Sequence, residues 1–208
     1  SELKNEKVEN PQDIIVKNYH LSYPNVFKFK KEFFMIPETS KNNQVEIWKA
    51  VSFPYKWKKF KIIFQNESWA DINFLNDRKG NFWLFGSKSM DSFDDHNSEL
   101  YIYKVEGKFF NKIIPHKKNP VIIDSRIARN AGKIFFNHKN EMIRPSQKNV
   151  REDYGYGLNF GKITKLNLND YEEKNLKSFD LSNNVSFSGI HHFDINNRII
   201  LIDKLKNN

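Results

Sequence analysis

The fold is decided by ADINFLNDRKGNFWLFGS (70–87), in which a short strand, a turn and a second, aromatic-rich strand follow one another. The same arrangement occurs in SYPNVFKFKKEFFMIPE (22–38), ARNAGKIFFNHKNEMIRPSQ (128–147) and SGIHHFDINNRIILIDK (188–204). The copies start roughly 50 to 60 residues apart, close to the ~50 residues that one four-stranded propeller blade requires. The repeat therefore predicts an all-β fold, a β-propeller.

Alternation of apolar and polar residues assigns strands to each blade. It predicts four strands from VFKF to WKKFKIIF, four from ADINFLN to FNKIIP, and a third set from RIARNAGKIFFN onward. The segment DIIVKNYHL (13–21) predicts an outer strand of a blade whose beginning is absent. Residues 1–12 are polar and predict a flexible lead-in, which leaves one β-propeller domain over 13–208.

The first and last blades predicted in this way are both incomplete. Four starts of a blade fit either a ring of four units or a five-bladed ring that needs one more start upstream; we favour the second and expect the chain to be part of a larger propeller. An upstream segment or a second chain would then supply the strands that complete it.

The composition excludes several classes of protein. The chain has no Cys, which removes disulfides and thiolate metal sites. A mean hydropathy of −0.72 and the lack of long apolar runs predict a soluble protein without a membrane span. No secretory signal is apparent, so we expect a cytoplasmic location. The lysines behind the net charge of +9 are scattered singly, so no nucleic-acid partner is expected, although an anionic glycan or sugar nucleotide would suit this charge.

The repeat also predicts where a functional site lies. In a propeller blade the start of the first strand and the end of the second lie at the same rim of the central channel. The residues expected there are polar or charged at positions where a structural strand favours Val or Ile. They comprise two catalytic candidates, Glu38 and Asp71, and the substrate-binding candidates Tyr23, Arg126, Arg129, Arg144, Gln147, Tyr154, Tyr156 and His191.

Two carboxyl groups that face one channel are the groups used by glycoside chemistry, in which one donates a proton and the other assists the nucleophile. Glu38 is expected to act as a general acid or to bind a sugar hydroxyl, and the alternative is a strand-end carboxylate paired with an Arg. Asp71 is expected to orient the substrate or to tune the pKa of Glu38, and the alternative is an Asx turn at the start of its strand.

The other candidates suit binding. Guanidinium groups at Arg126, Arg129 and Arg144 form bidentate contacts with carboxylate or phosphate, or would neutralise the two acids in a buried network. Gln147 suits hydrogen bonds to hydroxyls, and the tyrosines of YGY (154–156) suit stacking against a sugar ring, unless they lie on the surface of a hairpin.

The pair His191–His192 suggests metal binding at first sight. Adjacent residues of a strand point to opposite faces, and no third ligand has a suitable spacing. We therefore expect one histidine to face the channel as a hydrogen-bonding group, with no metal and no cofactor in the site.

Seven motifs occur in order, distributed along nearly all of the chain from His20 on: HLSYPNVF, FFMIPETSKNNQVEIWKA, FPYKW, DINFLNDRKGNFWLF, HKKNPVIIDSRIARNAGKIF, RPSQKNVREDYGYG and GIHHFD. Together they resemble the five-bladed β-propeller family related to arabinanases, levansucrases and invertases. More narrowly, the chain is similar to the propeller module of plant glucosamine inositolphosphorylceramide transferases. It is also similar to the propellers found beside bacterial sugar formyltransferase-like domains.

This resemblance implies a carbohydrate partner. Related furanosidases use a base or nucleophile from the first blade, an orienting Asp and a general acid Glu. Asp71 and Glu38 align with two of these acids, and the first-blade acid would lie upstream of Ser1.

The sequence thus leaves three functions open. The first is a carbohydrate-active propeller of the glycoside hydrolase or glycosyl transfer type in surface-polysaccharide or glycolipid metabolism. The second is a non-catalytic glycan-binding or scaffolding module for a linked transferase. A nucleic-acid-binding protein ranks last.

Overall fold

The computed structural model describes residues 2–4, 7–9, 11–89, 95–107, 110–150, 153–181, 187–196 and 199–206. These residues form β-strands throughout, apart from loops and a 3-10 turn at Ser40–Asn42. Within these ranges the chain has no helix with the length and apolar character that a membrane crossing requires. The strands β1 (Glu2–Lys4) and β2 (Lys7–Glu9) pair as a short antiparallel hairpin, in the part of the chain expected to be a flexible lead-in.

Two four-stranded antiparallel meanders follow, at the positions that the alternation pattern predicts. The first contains β3 (Ser22–Phe29), β4 (Glu32–Glu38), β5 (Gln44–Ser52) and β6 (Lys56–Gln65). The second contains β7 (Ser68–Asn76), β8 (Phe82–Ser89), β9 (Glu99–Glu106) and β10 (Lys112–Pro115), with the short strand β11 (Ile122–Ile123) paired to β9.

The third sheet repeats the meander, and the last strands form two smaller pairs. The third sheet contains β12 (Phe135–Phe136), β13 (Met142–Val150), β14 (Asp153–Leu166) and β15 (Tyr171–Asp180). Beyond it, β16 (Phe187–Gly189) pairs with β19 (Leu205–Lys206), and β17 (Phe193–Asn196) pairs with β18 (Ile199–Ile202).

The sheets pack face to face through large apolar side chains. Phe74 and Leu75 are neighbours on β7, and period-two alternation directs them to opposite faces of the second sheet. Phe74 joins a cluster with Phe27 and Phe34 of the first sheet, with the Phe27 and Phe74 rings stacked at 4.1 Å. Leu75 joins a cluster with Ile163 of the third sheet. Successive sheets therefore stack like the blades of a propeller, with their first strands innermost.

Buried asparagines connect the innermost strands of neighbouring sheets. Asn25 of β3 donates to the side-chain oxygen of Asn73 on β7 (3.0 Å). Asn73 in turn donates to the Gly132 carbonyl and to the Tyr23 hydroxyl, both at 2.9 Å. Gly132 adopts a φ of +139°, and a Cβ there would lie 1.8 Å from the Phe193 carbonyl oxygen, so this close approach to the last pair of strands requires glycine.

The structure differs from the sequence prediction in two places outside the site. The prediction of a strand over 13–21 is wrong, because that segment forms no strand and leaves Val16 76% exposed. Conversely, the sequence predicts only a tail of the third set of strands around Lys177 to Leu181, whereas the structure has the ten-residue strand β15 over Tyr171–Asp180. A run of apolar residues predicts a strand only where a neighbouring edge is available to pair with it.

Removal of the Asn73 amide should destabilise the fold. The substitution Asn73→Ala leaves the buried side-chain amide N–H of Asn25 and the Gly132 carbonyl without these partners, and we expect it to lower the free energy of unfolding by about 3 kcal/mol. Urea unfolding at neutral pH measures the change, with Asn169→Ala in an exposed turn as the control. Equal stability of the two variants would show that the asparagine connections do not hold the sheets together.

Candidate functional site

The innermost strands of the first two sheets begin with the same irregularity. The pairing register shifts between Ser22 and Asn25 on β3 and between Ala70 and Asn73 on β7. Within these bulges, Tyr23 (φ +43°) and Asp71 (φ +51°) adopt the left-handed conformation that residues other than glycine seldom adopt. A β-bulge redirects the side chain it contains, and both side chains point to the interior.

Asp71 is the centre of a buried polar cluster. Its carboxylate oxygen Oδ2 accepts hydrogen bonds from Arg129 Nε at 2.6 Å and from Gln147 Nε2 at 3.2 Å. Its backbone carbonyl accepts one from Asn130 Nδ2 at 2.8 Å. The Asp71 side chain is only 4% exposed. Residues that lie in the second and third sheets or on the loop between them therefore meet at one carboxyl group.

Glu38 joins this cluster from the end of β4. One of its carboxylate oxygens accepts a hydrogen bond from Ser40 Oγ at 3.0 Å, and the other lies 3.9 Å from the guanidinium of Arg129. Glu38 lies close enough to Asp71 for its charge to raise the pKa of the Asp71 carboxyl. Two carboxyl groups thus share one guanidinium.

The environment of Asp71 changes its acidity. Burial raises its pKa, the guanidinium of Arg129 lowers it and the charge of Glu38 raises it, which leaves the pKa of Asp71 at about 6. A carboxyl group with this pKa is able both to hold a proton and to release it near neutral pH.

Arg129 has a second set of partners that the sequence did not reveal. Its guanidinium donates to Asn97 Oδ1 at 3.1 Å, which also accepts a hydrogen bond from Asn149 at 3.3 Å. Asn97 lies between β8 and β9, in KSMDSFDDHNS (88–98), whose acidic and polar sequence predicts an exposed excursion. Residues 90–94 of that loop lie outside the described residues. Asparagine is common in polar loops, so no signal in the sequence distinguished this one.

Arg144 is in the structure a buried support of the cluster and not a ligand-facing group. It is fully buried, and it forms a bidentate ion pair with Glu173 at 2.8 and 3.1 Å. It also donates to the Ile127 and Ala128 carbonyls. These contacts leave its donors occupied by protein acceptors, and they fix the segment that carries Arg129.

Two further sequence candidates lie away from the cluster. The side chain of Arg126 is 68% exposed and pairs with Asp124 two residues earlier. That of His191 is 47% exposed and lies 2.6 Å from Asp203. The histidine that faces the interior is His192, whose ring packs edge-to-face on Tyr23 at 5.2 Å. Local turn geometry, which the repeat does not specify, decides these orientations.

The remaining candidates lie at different depths. Tyr23 lies close enough to the cluster to be affected by its charge. Burial, and after it the charge of Asp71, raise the pKa of Tyr23 well above the ordinary range. Gln147 is 1% exposed, and its Oε1 has no hydrogen-bond partner among the described residues. Tyr156 is partly buried beside Lys148, while the side chain of Tyr154 lies outside the described residues.

The pKa of Asp71 predicts a pH dependence of stability. Because this pKa is higher in the folded chain than its ordinary value of 3.8, the stabilisation is present below pH about 4 and is lost as the pH rises through about 6. The unfolding free energy of the wild type relative to Asp71→Asn should fall by about 2 kcal/mol between pH 4 and pH 7.

Urea unfolding at a series of pH values measures this difference. The control is Asp124→Asn, because hydrogen bonds from Arg126 lower the pKa of Asp124. Its contribution is present above pH about 4 and is lost only on further acidification, so the control difference should stay nearly constant between pH 4 and pH 7. A difference for Asp71→Asn that is flat across this range would contradict the assignment.

Solved structures with a similar fold are β-propeller glycoside hydrolases. An exo-beta-1,3-galactanase from Phanerochaete chrysosporium superimposes with a TM-score of 0.55 at 6% identity, over 77% of this chain and 39% of that one. The GH43_1 enzyme from Xanthomonas citri, complexed with xylotriose, gives a TM-score of 0.53 at 8% identity, over 84% of this chain and 63% of that one. At these identities the likeness shows the fold alone, and it confirms the prediction of a β-propeller.

Sequence comparison identifies the family. Glucosamine inositolphosphorylceramide transferase 1 of Arabidopsis thaliana is 32% identical over 184 residues, which cover 85% of this chain but only 23% of the length of that protein. Residues 12–199 match the family described as glucosamine inositolphosphorylceramide transferase 1, N-terminal. The chain therefore belongs to the family of glucosamine inositolphosphorylceramide transferase 1 N-terminal regions, as its motifs predicted.

Proposed function

We propose that this propeller binds the sugar part of a glycan or glycoconjugate at the channel rim. The observation that carries the proposal is the cluster of Glu38, Asp71 and Arg129, which three different parts of the chain bring together at one end of the innermost strands. The name of the relatives, which specifies glucosamine and a phosphorylceramide, supports a role in glycolipid or surface-polysaccharide metabolism.

The chemistry of the cluster suits a polyhydroxyl ligand. Carboxylate oxygens accept hydrogen bonds from sugar hydroxyls, and a guanidinium donates them in a fixed geometry. Glu38 and Arg129 have side chains 11% and 15% exposed, so they form the accessible part of the cluster. The unpartnered Oε1 of Gln147 is an additional acceptor next to Asp71.

The arrangement of the two acids favours binding over hydrolysis. Asp71 accepts a hydrogen bond from Arg129 Nε at 2.6 Å, and Glu38 lies 3.9 Å from the same guanidinium. Both acids are thus engaged with one cation of the protein, and a base or nucleophile of the kind that furanosidases use would be a third acid. We therefore favour a module that recognises sugar and positions it for a linked transferase.

Catalysis is the second candidate, and one observation supports it. With a pKa of about 6, Asp71 is able to donate a proton to a leaving oxygen at neutral pH. Catalytic roles for Glu38 and Asp71 thus stay a prediction.

Completion of the propeller by further polypeptide is also proposed. The second strands of the first two sheets are covered by third strands, and Phe34 and Phe85 are fully buried. The corresponding strand β18 has Ile199–Ile202 between 44% and 57% exposed. An added β-segment that pairs with β18 would cover these residues, and amide exchange at 199–202 that stays fast in the assembled protein would contradict this.

A cytoplasmic location stays a prediction.

Single substitutions test the sugar site. A sugar ligand is first selected on a glycan array. Glu38→Gln and Asp71→Asn should each weaken its binding at least tenfold, because each replaces a charged acceptor by an amide. Tenfold corresponds to about 1.4 kcal/mol. Titration calorimetry measures the affinity. Glu172→Gln, whose side chain is 60% exposed, is the control.

The same variants separate the two candidates. Release of sugar from an aryl glycoside by the wild type, abolished in Asp71→Asn, would establish catalysis in place of recognition alone. Affinity and turnover that are unchanged in both site variants would remove the site.

A further inference from the structure

A cavity of about 1070 Å³, which we name the distal cavity, is lined by Tyr23 and by residues of the innermost strands. Its walls come from β3, β7, β12 and β17 and from the residues next to them, and neither Asp71 nor Glu38 lines it. The lining includes three exposed residues, which are Asn76 and Asn196 at the ends of β7 and β17 and His138 in the turn after β12. The volume is that of a site for a small organic ligand.

Three cations line this cavity. Lys28 lies on β3, Arg78 lies in the turn after β7, and Lys133 lies just before β12. Among the described residues none of the three forms an ion pair with a carboxylate, and Asp194 is the acidic residue of the lining. Elsewhere on the surface basic residues do pair, as Lys118 does with Asp170 at 2.9 Å. Three cations against one acid give the distal cavity a positive potential.

Contacts within the protein hold Arg78 in place beside the distal cavity. Its guanidinium lies over the Phe136 ring at 4.0 Å and donates a hydrogen bond to Asn140 across the gap between the second and third sheets. Its backbone N–H donates to Asn76 Oδ1 at 3.0 Å, which fixes the turn. A guanidinium that is already ordered loses less entropy when it binds an anion.

We propose that the distal cavity binds a small phosphorylated ligand, with the phosphate group held by Lys28, Arg78 and Lys133. Guanidinium groups bind phosphate in a bidentate manner and ammonium groups bind it as point charges. The partly buried side chains of Val26, Phe135 and Ile195 provide apolar wall for the rest of the ligand. This site is separate from the sugar site, since Tyr23 lies between the distal cavity and Asp71.

Inorganic pyrophosphate serves as the probe, in calorimetric titrations of the 208-residue chain at pH 7 and low salt. The double substitution Lys28→Gln/Lys133→Gln should weaken binding at least tenfold. The matched control is Lys58→Gln/Lys177→Gln, which removes the same charge from exposed positions on the outer strands β6 and β15 and should change affinity less than twofold. All four lysines are exposed, so we expect both double variants to fold, and thermal unfolding checks this.

Two further variants sharpen the test. Arg78→Lys keeps the charge but loses the planar fork, and it should weaken pyrophosphate binding several-fold. Asp71→Asn should leave pyrophosphate binding unchanged, which separates a failure here from a failure of the sugar site. Equal weakening by the control pair would show general attraction to a basic surface and would overturn the proposal, as would the absence of binding by the wild type at millimolar pyrophosphate.

Discussion

The buried amide hydrogen bonds between innermost strands are the constraint on which the rest of the structure depends. Neighbouring sheets of this chain stack through contacts between apolar side chains. These contacts are non-directional, so they do not fix how far one sheet slides along the next. The bonds from Asn25 to Asn73 and from Asn73 to the Gly132 carbonyl add direction at the axis, where three sheets converge. A buried polar group without its partner destabilises the fold, so these bonds allow one register between sheets.

That register determines the chemistry of the rim. Asn130 donates to the Asp71 carbonyl at 2.8 Å and to the Phe85 carbonyl at 3.1 Å, so the segment next to Arg129 is held against the second sheet. The bulge at Asp71 then directs its carboxylate to the guanidinium at 2.6 Å. Burial and the charge of Glu38 together outweigh the effect of the one guanidinium, so the pKa of Asp71 stays at about 6. A sugar that binds Glu38 or Arg129 as we propose would change this balance and would thereby couple binding to the protonation of Asp71.

Periodicity and repetition explain how much the sequence predicted. Strands of the first two sheets follow from period-two alternation, and the meeting of Glu38, Asp71, Arg129 and Gln147 follows from equivalent positions in successive repeats. The orientation of single side chains does not follow from either. Arg144 turned inward to Glu173, and Arg126 turned outward to Asp124, because their neighbours in space lie on strands or turns that the repeat does not align. The sequence does not predict the buried asparagines of the axis, because residue identity alone does not distinguish a buried asparagine from an exposed one.

The central claim is that the radial stacking of sheets couples Asp71 of one sheet to Arg129 of the loop leading into the next. The most direct test is a double-mutant cycle with Asp71→Asn, Arg129→Gln and the double variant, measured by urea unfolding at pH 7. A coupling energy of about 2 kcal/mol between the two sites is the result that this structure predicts. Additive effects, within about 0.5 kcal/mol, would mean that the two side chains do not meet.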